Sequence, residues 1–457
     1  MNAKKNVSRL PLLMLPALIL CGVVAFFLFK RMEGVPPTVT LGLASPSLGA
    51  NQTIGLTVAD AKSGIRKVWV GLLKDGQEIV LLDKTFASAG LFSGGVVHEE
   101  KLQIPFEPQS KGIKDGKAML RLVVRDYSWR HWGDGNAAYL EQEVMVDTRP
   151  PGIEVLSQPH YFAQGGSGVV IYKLSEACSA SGVLVGTEFY PGMSGAAKDP
   201  TIQMTMVAID WQQGPATPIF VTATDLAGNQ NRTSLSHLIN ARKFKRDQIE
   251  ISDSFLDWKM PEFVQQVGAV PGVANVDIFL KVNGELRRAN YETLKKVVSH
   301  SDAQIYWKDE FLRLPDAAPR AGFADTRSYM YKGKKIDEQT HLGVDLASLA
   351  QSPVPAANSG KVVFAEELGI YGLTVMLDHG MGLFSMYSHL SHASVTVGQM
   401  VAKGDIIAKT GQSGLAGGDH LHFSMLVYHT FVNPLEWWDA QWIKNNISAK
   451  IDTLKQR

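Results

Sequence analysis

The chain has 457 residues and an almost even balance of 45 basic and 44 acidic side chains, for a formal charge of +1. With 19% charged and 45% hydrophobic residues it is no disordered polymer, and the balance excludes a strong electrostatic pull on nucleic acid or acidic polymers. Two cysteines, Cys21 and Cys178, build no disulfide framework, so stability rests on packed cores, which a chain of this length can supply.

From Leu10 to Phe29 there are 20 residues without a charge, enough to cross a hydrocarbon layer of ~30 Å as a helix rising ~1.5 Å per residue. Lys4, Lys5 and Arg9 precede this run and Lys30 and Arg31 close it, a balance leaning slightly towards an N-terminus left in the cytoplasm. The run lacks a short Ala-x-Ala-like exit, and Cys21 follows Leu-Ile-Leu rather than the small residue of a lipoprotein signal. Residues 1–34 therefore read as a cytoplasmic tip and an uncleaved transmembrane anchor.

Residues 35–149 alternate apolar and polar side chains in Lys67-Val-Trp-Val-Gly-Leu-Leu73, Met119-Leu-Arg-Leu-Val-Val124 and Glu143-Val-Met-Val146, with glycine turns between, which predicts a β-sandwich. Asp147-Thr-Arg-Pro-Pro-Gly152 punctuates the chain, since two prolines deny a strand its backbone donors. A second β module follows over 150–242, and its Ile219-Phe-Val-Thr-Ala-Thr-Asp-Leu-Ala-Gly-Asn229 resembles the closing strands of bacterial immunoglobulin-like domains. That fold hosts many functions, so spacer and polymer-binding roles stay equally open.

Residues 243–320 change to a helical pattern, clearest in Glu285-Leu-Arg-Arg-Ala-Asn-Tyr-Glu-Thr-Leu-Lys-Lys-Val-Val298, and read as a helical linker or regulatory segment. The short basic runs Lys243-Phe-Lys-Arg246 and Lys332-Gly-Lys-Lys335 read as solvated faces. The prolines of Arg313-Leu-Pro-Asp-Ala-Ala-Pro319 mark the entry to a domain over 321–438. There Lys361–Phe364, Leu373–Leu377, Leu383–Tyr387, Asp405–Lys409 and Leu421–Met425 read as strands of an antiparallel sheet with a groove on one face. Val397-Gly-Gln-Met-Val-Ala-Lys-Gly-Asp-Ile-Ile407 is similar to the hairpin of biotinyl and lipoyl carriers, but Lys403 falls in a bend rather than on an exposed tight turn, and this reading ranks last. Residues 439–457 read as a polar helical tail.

The 321–438 domain holds the chemistry. His341 and Asp345 lie in His-Leu-Gly-Val-Asp, His389 in Tyr-Ser-His-Leu-Ser, and His420 and His422 in His-Leu-His, where a strand points residues two apart to the same face. One histidine among twelve is usually an ordinary packed or surface residue, but these three patterns in one short region are not explained that way. Two imidazoles and a carboxylate suffice to hold a catalytic zinc with one position open, and the mixed donors favour zinc among common metals. Rival signatures fail: His98-Glu-Glu lacks the second histidine of His-Glu-x-x-His, Gly411-Gln-Ser-Gly-Leu415 lacks the last glycine of a nucleophile elbow, and there is no Walker loop.

The segments Phe323-Ala-Asp-Thr-Arg327, Thr340-His-Leu-Gly-Val-Asp-Leu-Ala347, Tyr371-Gly-Leu-Thr-Val-Met-Leu-Asp-His-Gly380, Tyr387-Ser-His-Leu390 and Gly418-Asp-His-Leu-His-Phe423 together resemble the lysostaphin-like or LytM-type zinc endopeptidases, which cleave peptide bridges in bacterial cell walls. The resemblance covers about a quarter of the chain. It implies His341, Asp345 and His422 as ligands of one Zn2+ per chain, and His389 and His420 as the catalytic pair, without dividing their roles. Phe-Ala-Asp-Thr-Arg replaces the family's Phe-Gly-x-Arg, and Ser424 stands where Glu is frequent; neither falls on a ligand, so both bear on substrate contacts. His379 and His392 have no place in this set and read as structural.

The resulting expectation is a mainly β chain with a transmembrane helix, two β-sandwich modules, a helical linker and a C-terminal antiparallel β metallopeptidase domain. It is single-pass in the bacterial inner membrane, faces the periplasm or outside, and hydrolyses peptide cross-bridges of peptidoglycan through a zinc-activated water. The alternative is a non-cleaving regulator or binder of cell-wall hydrolases or other division or envelope partners. A structural adhesin is weaker, because it gives the five-residue site no purpose.

Overall fold

The computed structural model describes residues 10–453 apart from Ala44, Leu91 and Ala196, with side chains described from Pro16 onward. The chain is mainly β and divides into two compact units, residues 1–150 with 224–230, and residues 151–223 with 231–457. A helix, α1, runs over Leu10–Arg31. Lys4, Lys5 and Arg9 lie outside the described residues, as do the side chains of residues 10–15. Among the described residues no helix is long and apolar enough to cross a membrane, so the structure does not by itself support the transmembrane helix expected over residues 1–34.

In the first unit, a three-stranded sheet (Thr38–Gly42, Gln52–Ala59, Glu99–Phe106) and a five-stranded sheet led by Ile65–Lys74, Gly116–Asp126 and Ala137–Val146 share one core. Period-two alternation explains this directly: Leu120, Leu122 and Val124 are buried on one face of their strand while Arg121 and Val123 face the other way.

The second unit has one continuous core running through the second β module, the helical segment and the C-terminal domain. In the β module, Ser167–Leu174 pairs with Ile153–Val155 and Ile202–Ala208. Trp437, fully buried, donates its indole N–H to Ser167 Oγ, and Tyr190 shares a hydrogen bond of 2.8 Å with Thr430. Local alternation identifies such strands but carries no trace of what they pack against.

The segment read as helical opens instead with a strand, β1 (Arg246–Glu250), which pairs in parallel with β2 (Asp325–Tyr331); β2 pairs antiparallel with β3 (Lys334–His341). Pairing with a partner remote in sequence overrides the weak local preference of this short charged stretch. Helices α2 (Asp253–Lys259), α3 (Asn275–Lys281) and α4 (Arg287–Val297) follow, the first capped by Ser252 Oγ accepting from the Phe255 N–H. A π-helical turn over Val282–Leu286 leads into α4. The C-terminal domain is a ten-stranded sheet whose centre is β4 (Val344–Ala347), β6 (Leu421–Val427) and β5 (Leu383–Ala393) in adjacent antiparallel positions. The tail beyond it is not wholly solvated: Ile443 and Ile447 are buried in the shared core.

Candidate metal centre

Strand register builds the centre. β4 and β6 pair so that Asp345 lies opposite His422, and His341 ends β3 just before the Leu342-Gly343 link into β4. Gly343 in that link is required by space, since a Cβ there would lie 2.5 Å from Ser424 Oγ and 2.6 Å from the His422 ring. His341 Nε2, His422 Nδ1 and Asp345 Oδ1 consequently meet at 2.9 Å from one another, with the three residues 7%, 4% and 8% exposed.

Hydrogen bonds on the far side of each ring fix which nitrogen is bare. His341 Nδ1–H donates to the Gly322 carbonyl at 2.8 Å, which leaves Nε2 as a lone pair. Ser424 Oγ donates to the Leu342 carbonyl at 2.7 Å and so accepts from His422 Nε2–H at 3.0 Å, which leaves Nδ1 bare. Three acceptors with no proton between them converge on one point. Such a cluster repels itself unless a cation sits at its centre, and two imidazoles with one carboxylate suit zinc. The donor set therefore fits the metal implied by the sequence.

The surroundings tune the three groups. Arg327 Nη2 donates to Asp345 Oδ2 at 2.9 Å, leaving Oδ1 for the centre. Burial works against the Asp345 charge, but the positive charge and hydrogen bonds that His341, His420 and His422 offer when they are protonated in place of a bound cation hold its carboxyl well below the usual range. Burial drives His422 down to about 4 despite Asp345, keeping it in the neutral, ligating form. Ser424 and Arg327 thus stand directly behind two of the three residues. The expectation that Ser424 bears on substrate contacts rather than on a ligand is corrected, because sequence order hides which side of a ring a neighbour occupies.

The structure also brings His389 and His420 to this point, with ring centres 4.9 Å apart. His389 has a left-handed backbone, φ +60°, an uncommon conformation for a side chain of this kind. Its Nδ1–H donates to the Ser413 carbonyl at 2.8 Å, and burial holds its pKa well below the ordinary imidazole value. His420 Nδ1–H donates to the Gly418 carbonyl at 2.8 Å, and its Nε2 lies 3.6 Å from Asp345 Oδ1. Burial lowers its pKa, the Asp345 carboxylate more than offsets this, and the net shift is upward. His379 is elsewhere, fully buried and bonded to the Ser359 carbonyl and Ser385 Oγ, while His392 is exposed.

A cavity of about 350 Å³ opens over the cluster. Besides the five residues named in the sequence, Arg327, Tyr371, Ile249, Glu250, Phe279 and Arg287 line it. Four of these come from the segment read as a linker, and no local signal marks them.

Residues 339–434 match Peptidase family M23, and the resemblance to lysostaphin-like peptidases is borne out at the level of this domain. An uncharacterized metalloprotease of Haemophilus influenzae is 41% identical over 96 residues, 21% of this chain and 20% of that protein. The peptidoglycan DD-endopeptidase ShyB of Vibrio cholerae is 30% identical over 167 residues, 34% of this chain and 38% of its own length. The murein hydrolase activator EnvC of Escherichia coli is 36% identical over 95 residues, 21% of this chain and 22% of EnvC. The chain thus spans between about a fifth and two fifths of the length of these relatives.

Proposed function

We propose that this chain is a membrane-anchored zinc metalloendopeptidase that hydrolyses peptide cross-bridges of bacterial peptidoglycan. The observation that carries this reading is the convergence of three unprotonated donor atoms beside two further histidines, each with its Nδ1 occupied by a backbone carbonyl and its Nε2 left for chemistry. Zinc held by His341, Asp345 and His422 supplies a Lewis acid and a water whose pKa is lowered towards ~7. His389, kept neutral by burial, accepts a proton at Nε2. His420, whose protonated form Asp345 favours, donates from Nε2 to the developing oxyanion or the leaving amine. Arg327 holds Asp345 in place and takes no proton, since a guanidinium stays charged.

The anchoring part of this reading rests on the uncharged run Leu10–Phe29, whose first residues precede the described side chains and which lies within α1, about 33 Å long at ~1.5 Å per residue. Leu18, Ile19, Phe26 and Phe29 are exposed along it, and apolar side chains on a helix are stable there only against lipid or another protein. In this reading the helix crosses the bacterial inner membrane once and the catalytic domain faces the periplasm or outside.

A second reading follows from the EnvC relative, an activator of murein hydrolases: a domain that binds a cell-wall hydrolase without cutting. Zinc content and peptidoglycan hydrolysis by the detergent-solubilised full chain separate the two. The peptidase reading expects one zinc per chain and new amine ends. His341→Ala should lose both, and His420→Ala should keep the metal while cleavage falls by roughly 10²- to 10⁴-fold. Bound zinc with no cleavage of any wall preparation would favour the regulator.

A further inference from the structure

Two guanidinium groups line the cavity over the metal centre, and they differ in what they are bonded to. Arg327 is held by Asp345. Arg287, the first residue of α4, donates from Nε to the Asn283 carbonyl at 3.2 Å and from Nη2 to Asn283 Oδ1 at 2.6 Å. Asn283 is fully buried, and its own amide donates to Asp337 Oδ2 at 2.7 Å, so the fork gripping Arg287 is itself fixed. Among the described residues Arg287 has no ion-pair partner, and no hydrogen bond uses its Nη1. The turn presenting it is the π-helical stretch Val282–Leu286, a geometry that recurs at functional sites.

A cation held rigidly with no ion-pair partner, lining the cavity over a site for amide hydrolysis, is suited to one kind of ligand group. A guanidinium edge matches the planar, bidentate geometry of a carboxylate. Tyr371, whose ring centre is 5.7 Å from that of His422, lines the same cavity as Arg287.

We propose that Arg287 is the receptor for a free carboxylate on the substrate beside the scissile amide, so that the helical segment is a working wall of the groove and sets its specificity. The inference rests on the peptidase reading and narrows its substrate. The interior of a glycine bridge offers no such carboxylate. A cross-link through diaminopimelate carries one on the carbon that bears the leaving amine, and is the substrate this geometry selects.

The test uses the zinc-loaded full chain with His420→Ala to halt turnover, and two cross-linked muropeptide dimers. One has the diaminopimelate carboxylate beside the scissile amide free; the other has it amidated. Calorimetry should find the free acid bound roughly 10- to 100-fold more tightly. Arg287→Gln should abolish that preference and leave the amidated dimer within about twofold, with zinc still at one per chain as the check on folding. Arg287→Lys should restore part of it, as a point charge without the planar fork would. Equal affinity for the two dimers, no binding of either, or a preference that survives Arg287→Gln overturns the proposal. Cleavage is scored separately with His420 restored. A measured preference without cleavage would remove the peptidase reading and keep the receptor, and cleavage of both dimers at equal rates would do the reverse.

Discussion

Each unit of this molecule contains a buried trio of potential metal ligands within 4.8 Å of one another, and the two differ in where their hydrogen bonds go. In the first unit the trio is Glu33, Asp60 and Asp126. Glu33 accepts from Ser63 Oγ and the Val35 N–H, Asp60 from the Lys62 and Gly64 N–H groups, and Asp126 from the Ser128 and Asn136 N–H groups and the Asn136 amide. Burial still pushes the Asp126 carboxyl upward. In the second unit the protein's donors are spent on the outer sides of the rings, and Asp345 is held well below its ordinary range. Proximity alone therefore does not make a metal site. A cluster whose oxygens face donors from its own loops is a structural knot, and one whose lone pairs face each other calls for a cation.

Metal removal is the strongest way to break this contrast. Chelation should destabilise the second unit by about 4 kcal/mol relative to zinc at a thousandfold above its Kd, while the first unit's unfolding midpoint stays unchanged in chelator and in millimolar calcium. A rise of that midpoint with calcium would show the carboxylate trio to be a cation site after all.

Glu436 sharpens the contrast with a buried carboxyl that is only half satisfied. Its Oε2 accepts from the Ser167 N–H and hydroxyl, whereas its Oε1 has only Arg242 at 3.7 Å, and burial raises its pKa to about 7. A folded-state pKa above the unfolded one means stability that is complete below about pH 4.5 and lost as pH rises through 7. Glu436→Gln should flatten that loss, worth roughly 3 kcal/mol, in melting curves compared between pH 5 and pH 8. Identical pH profiles for the two proteins would remove Glu436 from the account.

The smallest expected change is at Ser424. Ser424→Ala removes the acceptor behind His422 and frees the ring to adopt the other tautomer, so zinc affinity should fall by 10- to 100-fold in a competition titration with a chromogenic chelator. Unchanged affinity would mean that strand pairing alone orients His422.

Much of the site was legible in the sequence because its groups are few and chemically unusual. Histidine and aspartate are side chains with metal-binding lone pairs, and period-two spacing was enough to put His420 and His422 on one face. The alternation over Met119–Val124 likewise announced its strand, since burial on one side of a sheet imposes that pattern directly. The helical segment was harder: Arg246–Glu250 became a strand because Asp325–Tyr331 was available to pair with it, and a short charged stretch alone cannot signal that.

By itself, then, the sequence determined which residues could hold a metal and move a proton, because those capacities belong to side-chain types. Only the tertiary structure decided how they are used. The carbonyls of Gly322, Ser413 and Gly418 choose the bare nitrogen of three histidines, and every residue in the chain has a carbonyl, so nothing in the sequence marks these three. Arg287 reaches the cavity from 54 positions before His341 for the same kind of reason: a cation acquires its role from what surrounds it, and packing supplies the surroundings.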